Sequence, residues 1–265
     1  MAKKQSSAAL PRYLAPPVNE VVCGCQFQQL SMLKIPHWGL FWQKLGDGFP
    51  TVEHAAPIHT GGSVPLDDVT GLPIPRVWFI NESESRLVQL QADRLHYNWR
   101  HREMEPDYPH YDEIVNHFSE CFAKLESFAA EARIGVVQPV ACELTYINHI
   151  PQGSGWDSID DLPRIFRDFL WDSKDRYLPD PTNAAWQVVF PLPDKLGALT
   201  VKLNQASRKP DDAKVLVFEL TARGIGEDRS QIGMREWFNV AHEHIVKGFA
   251  DLTTNEAQIR LWKRQ

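Results

Sequence analysis

An α+β fold, built on one antiparallel sheet with helices over a single face, is predicted by three features of the sequence. The first is the stretch Arg76 to Arg100, RVWFINESESRLVQLQADRLHYNWR, where two apolar runs flank a polar turn at Asn81 to Ser85. It reads as a β-hairpin. In its second arm Val88, Leu90 and Ala92 point one way, while Gln89, Gln91 and Asp93 point the other. A strand with one apolar and one polar face belongs to a sheet that is covered on one side only. The second feature is a helical stripe between Asp107 and Arg133, in which Ile114, Phe118, Cys121, Leu125, Phe128 and Ala132 recur at intervals of three and four. The third is that the order of elements in the first half returns in the second.

Taken in order, MAKKQSSAAL is charged and rich in small residues, and prolines punctuate the next stretch, Pro11 to Pro17. A flexible tail over residues 1–17 is expected, with neither a signal peptide nor a membrane span. Glu20 to Phe27 alternates, with Val21, Cys23, Cys25 and Phe27 on one face of a first strand. Pro36 opens a short helix that repeats Trp38, Phe41, Trp42 and Leu45 at helical spacing. Residues 46–75 are rich in Gly and Pro, lack periodicity and read as a long loop. The hairpin comes next, then the long helix, which Gly135 ends.

In the second half Gln138 to Ile150 forms a strand with Val140, Cys142, Leu144 and Tyr146 on one face. A short helix over Asp160 to Leu170 comes next, then strands at Ala185 to Leu192, Ala198 to Gln205 and Lys214 to Arg223. A closing helix from about Gly233 to Thr253 carries Met234, Phe238, Ala241, Ile245, Phe249 and Leu252 on its apolar side. Residues 18–265 therefore read as a single α+β domain, with 18–135 and 136–265 as two similar halves. Two long helices on one face of a shared antiparallel sheet is the layout, by analogy, of helix-grip and TATA-binding-protein-like folds.

Bulk composition narrows the function. Apolar residues make up 43% and charged residues 23%, ordinary values for a globular protein. A net charge of -6 argues against a nucleic-acid partner, since phosphate binding needs clustered Lys and Arg. Nine Trp favour thick packing or an aromatic-rich interface. Cys23 and Cys25 share a strand face and are poorly placed to bridge each other. Without a secretory segment, four reduced core thiols in a cytoplasm are the simpler reading. No second Cys or His pair stands at ligand spacing, so neither a metal nor another cofactor is expected.

Several stretches match a known pattern together. They are EVVCGCQF, Pro36 to Trp42, Arg76 to Phe79, QLQADRLHYNWR, Tyr108 to Tyr111, ELTYINHIP, LTARG, HEHIVKGFADLTT and Trp262. The combination resembles a sporadically distributed bacterial family of uncharacterised proteins of about this length, and the match spans nearly the whole chain. The resemblance implies a bacterial cytoplasmic protein from mobile-element or defence-associated gene neighbourhoods, and brings no activity with it.

Few side chains stand in a pattern that suits chemistry. His242 and His244 lie about 160° apart around a helix, so they cannot hold one ion together. Glu143 and His149, read as acid helper and general base, stand roughly 20 Å apart along an extended strand. Arg94, Asn98, Trp99 and Arg100 at a strand exit suit phosphate, carboxylate or a base; Arg100 can equally pair with Glu105 or Asp107. No GxSxG elbow, P-loop or GxGxxG is present. The polar sheet face gathers Gln89, Gln91, Glu143, Thr145, Gln187, Lys202, Asn204, Glu219 and Thr221. The favoured reading is a non-catalytic binding or assembly protein that meets a protein partner, or a second copy of itself, through that face and the aromatic exit. The alternative is a small-ligand or nucleotide-binding protein, or an enzyme, with a cleft between helices and sheet. Its residues would be Arg94, Asn98, Glu143, Tyr146, Asn148 and His149.

Overall fold

The computed structural model describes residues 9–58, 66, 71, 73–105, 107–170, 174–179, 181, 183–208 and 212–265. Its strands are β1 (Val18–Phe27), β2 (Thr51–Ala55), β3 (Arg76–Ile80), β4 (Arg86–Gln91), β5 (Arg94–Arg100), β6 (Pro139–Pro151), β7 (Ala185–Pro191), β8 (Ala198–Arg208) and β9 (Ala213–Gly224). The helices are α1 (Ile35–Leu45), α2 (His110–Glu131), α3 (Leu162–Ile165), α4 (Gln231–Leu252) and α5 (Asn255–Arg260). All nine strands form one antiparallel sheet in the order β2-β3-β4-β5-β1-β6-β9-β8-β7.

That order has an internal logic. Within residues 18–135 the first strand, β1, pairs with the last, β5, and β4, β3 and β2 run outward from it. Within residues 136–265 the first strand, β6, pairs with the last, β9, and β8 and β7 run outward. The two first strands then pair with each other, Val21 facing Tyr146 and Cys25 facing Cys142, and so join the halves at the middle of the sheet.

Strand alternation decides which side is covered. Val21, Cys23 and Cys25 of β1, Leu95, Tyr97 and Trp99 of β5, and Cys142, Leu144 and Tyr146 of β6 share one side and are buried. On that side Tyr97 stacks on His117 of α2 and Tyr146 meets His242 of α4. The two helices run antiparallel across the seam: Arg235 binds Asp112, Phe118 packs on Phe238, and Gln231 reaches Glu126. Ser230 starts α4 by accepting a hydrogen bond from Gly233 N at 3.3 Å, which satisfies one of the helix's orphan donors.

Five features differ from the sequence expectation. The hairpin's second arm is two strands, because the chain turns at Ala92–Asp93 and pairs Gln91 with Arg94. Strand β2 lies inside the expected loop 46–75, of which 59–65, 67–70 and 72 lie outside the described residues. The helix expected over Asp160 to Leu170 is only a 3-10 turn (Ile159–Asp161) followed by the four residues of α3. A short final helix, α5, has no counterpart in the sequence expectation. The expected tail is tied down from Arg12 onward, for Leu14 N donates to Lys263 O, Ala15 N to Trp262 O and Gln265 N to Arg12 O. Tyr13 fixes this contact by packing its ring against Phe249 and Trp262.

Candidate functional site

The side of the sheet away from α2 and α4 is polar. The registers place Gln89, Gln91, Glu143, Thr145, Gln187, Lys202, Asn204, Glu219 and Thr221 on that one side. It is not uniformly bare. Toward β2 through β6, Gln89, Gln91, Arg94, His96 and Asn98 are each at most 6% exposed. Part of the cover is the chain after β2: Ile58 N donates to Gln91 Oε1 at 2.8 Å, and Gln91 Nε2 donates to Ile58 O at 3.2 Å. Buried amides and guanidinium groups need partners, and two networks supply them.

One network centres on Asp93. Its carboxylate accepts from Arg94 Nε and Nη2 at 3.1 and 2.9 Å, Gln91 Nε2 at 3.0 Å and Gln26 Nε2 at 3.3 Å. Gln26 Oε1 in turn accepts from Arg223, which donates to Glu143 Oε2 at 3.2 Å. The other runs across four strands, β3, β4, β5 and β1. Arg76 Nη1 donates to Gln89 Oε1 (2.9 Å), Gln89 Nε2 to Asn98 Oδ1 (2.7 Å), and Asn98 Nδ2 to Glu20 Oε1 (2.6 Å). Between the networks the His96 ring lies across Gly24, where a Cβ would stand 2.2 Å from His96 Cδ2. A side chain there would displace the imidazole, so the glycine is what lets the ring lie flat on β1.

Burial, with Arg94, Arg76 and Arg223 nearby, pulls the His96 pKa down to about 3, so the imidazole is neutral at ordinary pH. Burial also lowers Arg76 and Arg100, and it raises the Glu20 carboxyl against its Asn98 hydrogen bond. Among the described residues, the buried side-chain nitrogens left without a partner are Arg76 Nε, Trp78 Nε1, Arg100 Nε and His149 Nδ1. All four residues project on this polar side. The Arg76 guanidinium lies 5.3 Å from the centre of the Trp78 ring, so two of these donors are neighbours on β3.

The eight residues singled out from sequence divide between the two sides. Arg94, Asn98, Arg100, Glu143 and His149 project on the polar side. Arg100 forms no ion pair with Glu105 or Asp107; Glu105 instead accepts from Ser83 and Ser85 and pairs with Arg86 at 3.6 Å. His149 and Glu143 sit on one uninterrupted strand and do not meet. Trp99, Tyr146 and Asn148 project on the helix side. The Trp99 ring packs on Tyr108 at 5.3 Å, and Asn148 Nδ2 donates to Phe218 O at 2.9 Å. Tyr146 joins a hydroxyl chain, 2.9 Å from Tyr108 Oη and 3.1 Å from His242 Nδ1, and the His242 ring stacks on Tyr111 at 4.0 Å. Rings therefore fill the seam between helices and sheet where a cleft was the alternative expectation. Arg76, Trp78, Gln26 and His96 escaped sequence reading. For His96 the signal was present, since Arg94, His96, Asn98 and Arg100 alternate along β5.

His242 and His244 point to different partners, Tyr146 Oη and Val240 O. Among the described residues no three His, Cys, Asp or Glu gather as a metal-holding group, and no helix is long and apolar enough to cross a membrane. No family model matches the chain, and no curated relative does. Two solved structures align along most of it. DynU16, a protein of the dynemicin biosynthetic locus, is 11% identical over 91% of this chain and 98% of its own, with a TM-score of 0.27. The di-domain ARO/CYC StfQ of the steffimycin biosynthetic pathway is 10% identical over 88% of this chain and 98% of its own, with a TM-score of 0.18. At those scores the superpositions carry no argument about this site.

Proposed function

We propose that this chain binds a small polar ligand bearing a carboxylate or phosphate on the central polar side of its sheet, over β3, β4, β5 and β1. The observation that carries this reading is the set of unpartnered buried donors, Arg76 Nε, Trp78 Nε1 and Arg100 Nε, beside two otherwise saturated networks. A buried N–H without an acceptor costs about 1–3 kcal/mol. An oxyanion, which only accepts, supplies what this surface lacks, and guanidinium groups suit its geometry. The ligand would lie outside the sheet, on the opposite side from the helix–sheet cleft of the alternative expectation.

Protein–protein assembly belongs on this reading to the outer part of the molecule, where Gln187 and Asn204 are exposed. The two halves are taken as one repeated unit of helix-grip or TATA-binding-protein-like kind, on the strength of their shared strand order. The family resemblance adds a bacterial cytoplasmic setting, which suits four free, buried thiols.

The test is thermal and chemical unfolding against a panel of nucleotides, phosphate esters and di- and tricarboxylates. A true ligand at a hundred times its dissociation constant adds about 2.7 kcal/mol of stability. Trp78→Phe, which keeps the ring and removes the donor, should then weaken binding by about tenfold. A panel without a single stabilising carboxylate or phosphate overturns the proposal, as does full affinity in Trp78→Phe and Arg76→Met alike.

A further inference from the structure

We propose that β7 pairs edge to edge, antiparallel, with the β7 of a second copy of this chain, about a two-fold axis through Val188. The strand ends the sheet, so one side of its backbone has no strand beside it among the described residues. Exposed edges are ordinarily protected by charge or by irregularity. The seven residues of β7, AWQVVFP, contain no charged side chain. Val189 is 57% and Phe190 42% exposed, and the segment leading into the strand also exposes Leu170, Tyr177 and Leu178. The opposite edge differs, since β2 carries Glu53 and His54.

The occupant is a second copy because the strand complements itself. Laid antiparallel about Val188, Trp186 faces the partner's Phe190 and Gln187 faces the partner's Val189, and each pair recurs by symmetry. Trp186, Val188 and Phe190 project on the helix side and Gln187 and Val189 on the polar side. Two aromatic pairs would therefore flank a Val188–Val188 contact on one surface, the kind of cross-strand packing that stabilises sheets. Such a contact is isologous and closes at two copies. No residue of the strand needs a counter-charge from a foreign partner. The inference does not depend on the ligand reading, because it concerns the other end of the molecule.

Light scattering on the eluting protein should give twice the chain mass of 30.3 kDa. Val188→Lys puts like charges face to face and should halve the mass; Val189→Lys, at an already exposed position, should do the same without disturbing the fold. Mixing Val188→Lys with Val188→Glu should restore a dimer containing one of each. Val188→Cys should form a covalent dimer on mild oxidation, with the four native thiols buried and silent. A wild-type monomer at high concentration overturns the proposal. So does a dimer that survives both lysine variants, or a Val188→Cys dimer that oxidation fails to link.

Discussion

Gly24 and His96 show how one missing side chain organises a surface. The imidazole occupies the space a Cβ would need, and it sits between two hydrogen-bonded networks on adjoining strands. Gly24→Ala should therefore force the ring off β1 and cost about 1–3 kcal/mol of unfolding free energy, read from urea midpoints. His96→Ala in the same background should recover part of that loss, because the two changes share one contact. A Gly24→Ala midpoint equal to wild type would show that the ring yields freely. In the sequence Gly24 is only a weak point in a strand, and His96 is hidden between residues with more familiar binding chemistry. Nothing local says that the two meet, since their pairing is made by β1 and β5 across more than seventy intervening positions.

Among the elements, the long helices were the most legible, because a stripe recurring over many turns survives any tertiary context. The Ala92–Asp93 turn was not. It has neither Gly nor Asn-Gly, and Val88, Leu90 and Ala92 keep alternating straight into it. Its support is tertiary: Phe27 N donates to Asp93 O at 2.8 Å, Leu30 N donates to Ala92 O at 2.9 Å, and the Asp93 carboxylate gathers Gln26, Gln91 and Arg94. Asp93→Ala takes the carboxylate from a guanidinium that is only 3% exposed on a whole-residue basis. The expected loss is about 3 kcal/mol, measured by chemical unfolding, with Asp93→Asn recovering only part of it. A neutral effect would mean that the turn is held by its backbone alone. Strand β2 was hidden for a related reason: Thr51 to Ala55 is short, exposed and polar, and pairs because β3 offers it an edge.

At the scale of the whole molecule, the polar side could be assigned from sequence but its burial could not. Alternation reports which side a residue faces; cover comes from elsewhere in the chain, here in part from Ile58. Burial of neutral imidazoles in both halves also sets the response to acid. The folded pKa is about 3 for His96 and about 4 for His242, against 6.5 for an unperturbed imidazole. Below pH 6.5 the unfolded chain takes up protons that the folded one refuses. Stability should therefore be full above that point and fall as the pH drops toward 4. Glu20, whose carboxyl is raised, works in the opposite sense. Urea midpoints between pH 8 and pH 4 check the sign, and His96→Gln should flatten the slope. A stability that rises on acidification would contradict the buried state of both rings.

The clasp that holds Arg12 and Leu14 against Lys263 and Gln265 brings the two ends of the segment 12–265 together, so that this segment is near a ring. A short linker across that clasp, with new ends cut between Gly135 and Gln138, would reverse the order in which the halves are synthesised while leaving every strand its neighbours. Connectivity, on this architecture, is a convenience of translation: the sheet depends on which strands adjoin, and the same layer can be threaded from its middle.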